Sequence, residues 1–341
     1  MKKITVGIIG TGRFAGTLDA LFARESDRWS VIHSSTSKPV DDKKIFLLSE
    51  VAKCQIIIPA VPISALEATL VRLDTCLAPE GVHPLVMSVC SVMGAPENWL
   101  RRHVRDKGAD ILVTHPVFGP QSTQQGTTFE GLSLVWNPVR IRNKARLESL
   151  KAFLQRQQLK LLSMTSEQHD QIIAHTQFVS FLFGQIGVEL GLASTPLDTR
   201  GFTHILQNQA IVASDTQQLF LDIYRHNAHA GQQLQKIIRF VLQLRTTTQS
   251  VSDGQSLISL RERIDQLDEQ LLSLLNQRLQ VVKQVGQLKK AQGIPPLQLG
   301  RWQQVLSNLL KKAEGSSLSD QFVKDIWNRI HAEALYLEEN V

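Results

Sequence analysis

The stretch Ile4-Thr-Val-Gly-Ile-Ile-Gly-Thr-Gly-Arg-Phe-Ala15 decides the fold of the N-terminal part of this 341-residue chain. An apolar run ends at Gly10 and Gly12, and from Arg13 and Phe14 onward apolar side chains recur at helical spacing. A strand, a glycine turn and a helix in this order match the G-x-G-x-x-G/A pattern, which places a dinucleotide pyrophosphate at the helix N-terminus. The glycines alone would also fit a tight structural turn, but the flanking strand and helix favour a nucleotide-binding domain.

The end of the second predicted strand bears on the choice of cofactor. It reads Ser34-Ser35-Thr36 and has no acidic residue of the kind that usually binds the ribose 2′-hydroxyl of NAD. Hydroxyl groups together with Lys38 can instead hold a 2′-phosphate, so the sequence favours NADP, with NAD as the alternative. The predicted cofactor-binding residues are Gly10, Gly12, Arg13, Phe14, Ser34, Ser35, Thr36, Val61 and Pro62.

Seven short apolar runs alternate with helical patterns over residues 1–165. Runs that are apolar on both faces are typical of a sheet covered by helices on both sides, so we predict a doubly wound α/β domain of Rossmann type. The runs are Ile4–Ile9, Val31–His33, Gln55–Val61, Leu85–Cys90, Ile111–Thr114, Leu132–Trp136 and Lys160–Met164.

Beyond these runs the sequence predicts only helices. Residues 166–245 carry long helical patterns and are predicted to form an all-α domain for substrate binding and dimerisation. Residues 246–255 are small and polar, which predicts a linker. Residues 256–341 are again strongly helical, with a break at Gly293-Ile-Pro-Pro296, and predict a second all-α domain.

Composition narrows the class of protein. An apolar fraction of 43% and a charged fraction of 20% are typical of a soluble globular protein, and no apolar run reaches the roughly 20 residues that span a bilayer. Three scattered cysteines and the lack of a signal-peptide pattern predict a cytoplasmic protein without a metal site. The net charge of +6 comes from dispersed basic residues, which favours small anionic ligands over nucleic acid or a membrane.

Ser91 and His115 each follow an apolar run and are therefore predicted to reach the ligand crevice at the carboxyl edge of the sheet. A hydrogen-bonded loop histidine is the alternative for His115. The surrounding stretch, Asp110-Ile-Leu-Val-Thr-His-Pro-Val-Phe-Gly-Pro-Gln-Ser122, resembles the His-Pro-Met-Phe-Gly-Pro-Glu-Ser signature of prephenate and arogenate dehydrogenases. The resemblance covers roughly residues 3–240 and is closest to the plant-type arogenate dehydrogenases. It continues at Val139–Arg142, Ser166–Asp170, Gln177–Val179 and Ser194–Gly201.

This resemblance implies a catalytic role for His115. In the family the matching histidine binds the ring hydroxyl that is oxidised, while hydride leaves for the nicotinamide and the ring carboxylate departs as carbon dioxide. Ser91 matches the serine that orients this histidine, whereas Met93 stands where the family has a lysine.

Three further residues match family positions. His169 and Asp170 match a His-Asp pair, for which we expect a structural role at the domain junction. Gln177 is a candidate substrate contact, with helix packing as the alternative.

The C-terminal helix carries charges within its apolar seam. Arg261, Arg278 and Lys289 fall in a file of apolar residues that steps by three and four. At about 1.5 Å per residue, Arg278 and Lys289 lie roughly 16 Å apart and can converge on one small dianion. Arg261 lies roughly 25 Å from Arg278, so it is expected to serve a second site in an antiparallel, intertwined dimer. A coiled coil with polar register-setting residues is the alternative.

This segment resembles the all-helical chorismate mutases. The matching stretches are Leu260–Asp268, Leu274–Arg278 and Val285–Lys289, followed by Arg301. The resemblance implies that the arginines bind the two carboxylates, one of them donated by the partner protomer, and that the lysine donates to the breaking ether oxygen.

Several positions of the mutase segment depart from the family pattern. Gln298 and Trp302 replace two acidic residues near the substrate hydroxyl, and Glu338 replaces a late glutamine. The predicted mutase residues are Arg261, Arg278, Lys289, Gln298, Arg301 and Glu338.

The predicted function is therefore a bifunctional enzyme of tyrosine biosynthesis, with a chorismate mutase and an NAD(P)-dependent prephenate or arogenate dehydrogenase in one homodimeric chain. The alternative is a dehydrogenase whose mutase-like domain is weakened, regulatory or dimerising, or acts on substrates of the 4-amino-4-deoxychorismate type.

Overall fold

A computed structural model gives the chain as two compact units, Met1–Val241 and Leu242–Val341. The residues that it describes are 3–36, 39–40, 44–77, 83–104, 108–119, 128–252 and 257–340. Lys38 and the segment Pro120-Gln-Ser122, both used in the sequence argument, lie outside the described residues.

The first unit is built on a seven-stranded sheet with the order β2-β1-β3-β4-β5-β6-β7. Its strands are β1 Ile4–Ile9, β2 Trp29–Ser34, β3 Ile56–Pro59, β4 Leu85–Val89, β5 Asp110–Pro116, β6 Ser133–Arg140 and β7 Lys160–Ser163. Neighbouring strands are parallel except for β5 and β6, which pair antiparallel. Each apolar run of the sequence contributes one strand, so the predicted doubly wound α/β class is confirmed. The antiparallel pair was not predicted.

Helices cover both faces of this sheet because its central strands are apolar on both sides. On one face, Phe22, Trp29 and Phe153 form an aromatic cluster with ring centroids 4.8–5.4 Å apart. On the other face, Leu66, Leu70 and Leu73 of one helix are fully buried. Burial of each such side chain stabilises the fold by roughly 1.5–3 kcal/mol. The helices between the strands are α1 Arg13–Ala23, α2 Leu48–Val51, α3 Ile63–Cys76, α4 Gly94–His103 and α5 Lys144–Arg156.

After β7 the chain is helical, as the sequence predicts. A capping box between Thr165 and Gln168 begins α6, and threonine side chains also cap the N-termini of α8 and α9. These helices are α6 Ser166–His175, α7 Gln177–Glu189, α8 Arg200–Ser214, α9 Gln217–His226 and α10 Ala230–Ser252.

The segment 246–255, which the sequence predicts to be a linker, is described as far as Ser252. Helix α10 continues to Ser252, so residues 246–252 are helical rather than irregular. The physical reason is that no glycine or proline lies between Gly231 and Gly254, and threonine and serine lower helix stability only slightly. The remaining domain boundaries stay predictions.

The second unit contains three more helices, α11 Leu257–Gln292, α12 Leu299–Ala313 and α13 Asp320–Glu339. Helix α11 is 36 residues long, which corresponds to about 54 Å. It ends at Gly293, whose φ of +67° suits glycine, and Pro295-Pro296 prevents its continuation. Helix α13 packs against both α11 and α12. Within the described ranges, no helix has the length and apolarity needed to cross a bilayer.

Candidate functional sites

A cleft of about 430 Å³ lies at the carboxyl edge of β1, β2 and β3. Seven of the nine predicted cofactor residues line it: Gly10, Gly12, Ser34, Ser35, Thr36, Val61 and Pro62. The cleft is therefore bounded by the glycine turn, the hydroxyl-rich end of β2 and the start of α3. This is the edge at which doubly wound sheets bind their ligands.

The two glycines of the turn are required for different reasons. Gly10 has φ +122°, and a Cβ atom there would overlap the carbonyl oxygen of Ala60, so the backbone needs glycine. A Cβ atom on Gly12 would meet no other atom within 4 Å, because it would project into open space at the N-terminus of α1. The open space and the free helix end fit a pyrophosphate that approaches the backbone closely.

Arg13 and Phe14, the other two predicted cofactor residues, do not line the cleft. The guanidinium of Arg13 donates to the backbone oxygen of Ser214 at 3.3 Å and lies 3.8 Å from the carboxylate of Asp215. Phe14 packs against Phe118, with ring centroids 6.3 Å apart. These two side chains thus find partners elsewhere in the same unit, and their role at the cofactor stays a prediction.

Helix α3 adds cleft residues that the sequence analysis missed. Ala65, Thr69 and Arg72 line the cleft opposite the end of β2. Their spacing of three to four residues places them on one face of the helix. That spacing is the available sequence signal, but surface helices commonly show it without a ligand.

His115 lies near the end of β5 and is only 4% exposed. Its Nδ1 atom is 2.8 Å from Nε2 of His169 in α6, and the two rings are nearly perpendicular, at 88°. No residue in the described part of the chain hydrogen-bonds to Nε2 of His115. Burial, together with the neighbouring His169, lowers the pKa of His115 to about 3, so the imidazole is neutral at physiological pH.

Asp170 links this histidine pair to the start of α4. One carboxylate oxygen is 2.8 Å from Nδ1 of His169 and accepts the N–H of Met93 at 2.8 Å. The other accepts the N–H of Gly94 at 2.9 Å. A carboxylate at a helix N-terminus is stabilised by the helix dipole and by the otherwise unpaired amide groups. The His-Asp pair therefore has the predicted structural contact, and in addition a contact with His115 that was not predicted.

Ser91 and Gln177, two further predicted site residues, make no described hydrogen bond to His115. Ser91 follows β4 at the same edge of the sheet as His115, but the structure shows no hydrogen bond between them; the described residue that orients His115 is His169. Gln177 begins α7, and its side-chain oxygen is buried without a described partner. A buried acceptor without a donor is costly, which fits a ligand that donates a hydrogen bond.

The second unit has a separate polar cluster between α11 and α13. The ammonium group of Lys289 donates to the carboxylate of Glu338 at 2.6 Å and to the backbone oxygen of Pro296 at 2.7 Å. Gly286, one turn before Lys289, allows α13 to approach closely, since a Cβ there would lie 3.1 Å from Cα of Glu338. The glycine thus brings the predicted lysine and glutamate together.

Arg278 belongs to the same cluster. One of its terminal nitrogens, Nη1, is buried and has no described partner. Burial, followed by the charge of Arg278, holds the pKa of His331 below its usual range, with Lys289 acting in the same direction and Glu338 against it. His331 stacks on Trp302 at a centroid distance of 3.9 Å and an angle of 6°. A buried guanidinium N–H without a described partner suits a carboxylate ligand.

The other predicted mutase residues stand apart from this cluster. Arg261 is exposed on α11, about 25 Å from Arg278 by helix geometry. Arg301 is exposed and donates to the side chain of Gln304 at 3.3 Å. Gln298 takes the N-cap position of α12 but its side chain makes no capping hydrogen bond. The structure therefore pairs Lys289 with Glu338 and places His331 within electrostatic reach of both and of Arg278. It leaves Arg261, Arg301 and Gln298 open to solvent.

Family models match both units. The nucleotide-binding domain of prephenate dehydrogenase matches residues 33–162, and chorismate mutase type II matches residues 260–339. A third model, the TYRAAT1-like C-terminal domain, matches residues 186–255.

Among relatives, arogenate dehydrogenase 1 of Arabidopsis thaliana is 25% identical over 257 residues, or 69% of this chain and 38% of the relative. Arogenate dehydrogenase 2 of the same plant is 31% identical over 45% of this chain and 43% of the relative. The T-protein of Enterobacter agglomerans is 34% identical over 84 residues, or 25% of this chain and 22% of the relative. The chain thus spans less than half the length of each of these relatives.

Solved structures share the fold. Arogenate dehydrogenase from Synechocystis superposes with a TM-score of 0.52 at 18% identity, covering 80% of this chain and all of that one. Prephenate dehydrogenase from A. aeolicus gives a TM-score of 0.56 at 16% identity, covering 82% of this chain and 99% of that one. Residues 33–162 are thus similar to the nucleotide-binding domain of prephenate dehydrogenase, and residues 260–339 are similar to type II chorismate mutase.

Proposed function

We propose that this protein is a bifunctional enzyme of tyrosine biosynthesis. Its C-terminal domain would rearrange chorismate to prephenate, and its N-terminal unit would oxidise and decarboxylate prephenate or arogenate with NAD(P). The observation that carries the proposal is His115, a neutral buried imidazole held by His169 near the carboxyl edge of a nucleotide-binding sheet.

In the dehydrogenase step, His115 is the general base. Its Nε2 accepts the proton of the ring hydroxyl, and the carbon that bears this hydroxyl becomes a carbonyl as hydride departs. When bound, the oxidised nicotinamide supplies the hydride acceptor. Loss of the ring carboxylate as carbon dioxide makes the ring aromatic, which drives the reaction. The protein therefore has mainly to position the substrate and to keep the base neutral. Gln177, with its buried unpaired oxygen, is the candidate for a substrate contact, and Ser91 for a second contact near His115.

NADP is the preferred cofactor in this proposal. Ser34, Ser35 and Thr36 offer hydroxyl groups where NAD-binding sheets usually carry an acid, and Arg72 faces the same cleft. Arg72→Ala is expected to raise the KM for NADP about tenfold or more, because a charge-assisted hydrogen bond contributes roughly 1.5–3 kcal/mol. The KM for NAD should stay nearly constant and serves as the internal control. An equal change for both cofactors would contradict a role for Arg72 at the 2′-phosphate.

In the mutase step, Arg278 and Lys289 bind the substrate. The unpaired Nη1 of Arg278 would hold one carboxylate, and Lys289 would donate to the ether oxygen whose bond breaks. The rearrangement is unimolecular, so holding a compact conformer and stabilising charge on the ether oxygen suffice for catalysis. Arg301 and Gln298 would complete the site from α12, and Arg261 would come from a partner protomer.

A weakened or altered mutase is a second candidate for the C-terminal domain. Trp302 stands where the family has an acidic residue, and it stacks on His331. The ammonium group of Lys289 already donates a hydrogen bond to the carboxylate of Glu338. These contacts suit a domain that has a regulatory or dimerising role. They also suit a mutase that acts on a substrate of the 4-amino-4-deoxychorismate type.

A homodimer in a reducing compartment, such as the cytoplasm, completes the proposal. Helix α11 exposes apolar side chains along its length, among them Leu267, Leu274, Val281 and Leu288, each more than half exposed. An exposed apolar file of this length suits a partner helix from a second copy. Two of the three free cysteines are buried, as expected for thiols that remain reduced.

The test is a set of parallel assays on the purified chain. Chorismate, prephenate, arogenate and 4-amino-4-deoxychorismate are each supplied with NADP, and cofactor reduction is followed together with chorismate loss. Reduction with prephenate or arogenate supports the dehydrogenase, and consumption of chorismate supports the mutase. Turnover of prephenate or arogenate without loss of chorismate would favour the second candidate. No reduction with any substrate would overturn the dehydrogenase proposal.

A further inference from the structure

We propose that His169 and Asp170 are positioning residues that form a proton relay behind His115. This inference rests on the proposed dehydrogenase function, which uses His115 as the base. It assigns to the His-Asp pair of α6 a part in the reaction in addition to its contact with α4.

The chain of hydrogen bonds has a direction that Asp170 sets. Its two carboxylate oxygens face the N–H groups of Met93 and Gly94, so in this environment the carboxylate can act only as an acceptor. Nδ1 of His169, at 2.8 Å, must then carry a proton and donate it to the carboxylate. In a neutral ring this leaves Nε2 of His169 as an acceptor.

The same reasoning fixes the tautomer of His115. Because Nε2 of His169 accepts, Nδ1 of His115 at 2.8 Å must be its donor. Nε2 of His115 therefore carries the lone pair, which is the state that a base needs. A buried carboxylate that orients a histidine in this way acts through its hydrogen bond rather than by touching the substrate.

Two proton transfers carry the proton of the substrate hydroxyl to His169. The O–H bond of the substrate hydroxyl breaks and an N–H bond forms at Nε2 of His115. The Nδ1–H bond of His115 breaks and an N–H bond forms at Nε2 of His169. His115 is again neutral, and the positive charge rests on His169, which is paired with the carboxylate of Asp170. The hydride goes to the nicotinamide of NAD(P), the oxidant of the proposed reaction.

Burial explains why the charge should move to His169. His115, His169 and Asp170 are each less than 5% exposed, so a cation left on His115 would be costly in these surroundings. On His169 the same charge lies 2.8 Å from the carboxylate of Asp170, which also accepts two backbone N–H groups at the start of α4. The alternative is that His169 and Asp170 only tie α6 to α4 and β5. The relay needs the tautomers derived above, and it differs from a tether in the rate of the chemical step once His169 can no longer take up a proton.

The first experiment determines the tautomers directly. Full-length protein labelled with ¹⁵N at histidine is studied by long-range ¹H–¹⁵N NMR near neutral pH, and the signals are assigned with His115→Gln and His169→Gln. Both rings are expected to be neutral and protonated at Nδ1. A proton on Nε2 of either ring, or a cationic His169 in the resting protein, would overturn the relay. This measurement needs no turnover, so it tests the hydrogen-bond directions that the relay requires even if the proposed function fails.

The second experiment separates relay from tether. In His169→Gln the side-chain amide can still hold His115 but cannot take up a proton, so kcat is expected to fall about 100-fold or more while the substrate KM stays within about threefold. Asp170→Asn should also lower kcat. The matched control is Asp222→Asn, because Asp222 is equally buried and accepts the N–H of Ser64 at the start of α3 without a histidine behind it.

The control should lose thermal stability with kcat nearly unchanged. Near-UV circular dichroism shows whether each variant is folded. If His169→Gln does not fold, the tautomers measured by NMR in the unmodified protein still test the relay. If the His169→Gln variant is folded and has the kcat of the unmodified protein, His169 and Asp170 have only a structural role and the relay is wrong.

Discussion

The Nζ atom of Lys289 lies 2.6 Å from Oε2 of Glu338, so the ammonium group that would serve the substrate is paired with a carboxylate. A carboxylate cannot donate a hydrogen bond, whereas an amide in its place can. Glu338→Gln is therefore expected to release Lys289, to add a donor, and to raise the chorismate mutase kcat near neutral pH about tenfold. The measurement is the rate of chorismate loss. Glu339→Gln, an exposed neighbour on α13, is the control and should behave like the unmodified protein. An unchanged or lower rate in Glu338→Gln would show that the carboxylate itself is needed.

Arg278→Ala should separate the two activities. The variant removes the guanidinium whose Nη1 is buried without a partner, so chorismate turnover is expected to fall at least about 100-fold, the loss that corresponds to roughly 3 kcal/mol of binding. Reduction of NADP with prephenate or arogenate should be largely unaffected. Arg263→Ala, at an exposed position of α11, is the matched control for both rates. Parallel loss of both activities would instead point to a general folding defect.

The two glycines of the turn should fail in different ways when each is changed to alanine. Gly10→Ala meets the carbonyl of Ala60 and forces a side chain into a positive φ, which is expected to cost at least about 1 kcal/mol of folding stability. Gly12→Ala meets no atom and should fold normally, but its Cβ projects where the pyrophosphate approaches, so cofactor affinity should fall. Thermal unfolding and cofactor titration distinguish these outcomes. Normal cofactor binding by Gly12→Ala would argue against the proposed pyrophosphate position.

The buried imidazole of His115 should make the fold sensitive to acid. Burial lowers its pKa to about 3 from an ordinary value of 6.5, so between these limits the unfolded chain binds a proton that the folded chain does not. The stability contribution is complete above about pH 6.5 and is lost progressively as the pH falls toward 3. His115→Asn is therefore expected to show a smaller decrease of Tm on acidification than the unmodified protein. His204→Asn, which alters an exposed histidine, should leave the slope unchanged.

Much of the first unit could be predicted because its signals are local. The apolar run Ile4–Ile9 became β1 with the same bounds, and the glycine turn lies where the strand–helix pattern placed it. The antiparallel pairing of β5 with β6 has no such signal, because a strand direction depends on how the chain returns and not on the period of its apolar residues. The continuation of α10 through 246–252 escaped prediction for a different reason: small polar residues are typical of linkers but do not forbid a helix.

The sequence indicated several residues of the candidate site, but not the contacts between them. His115 and His169 are 54 positions apart, and the contact between their rings depends on how α6 packs against the sheet. The orientation of Arg13 toward Asp215 likewise depends on the end of α8, far along the chain. In the second unit, the stepped spacing on α11 indicated Arg278 and Lys289, whereas the stack of Trp302 on His331 arises only when α12 and α13 meet.

Asp170 has a practical consequence for protein engineering. Its carboxylate, carried by α6, completes the first turn of α4 and at the same time holds the histidine behind His115. A shortened chain that ends after β7 would leave two amide groups at the start of α4 unsatisfied and His115 without its neighbour. Chimeras built from this chain should therefore exchange the sheet and α6 together, with the crossover placed after this helix. A crossover at the end of the sheet would divide the contacts of Asp170 between two parents.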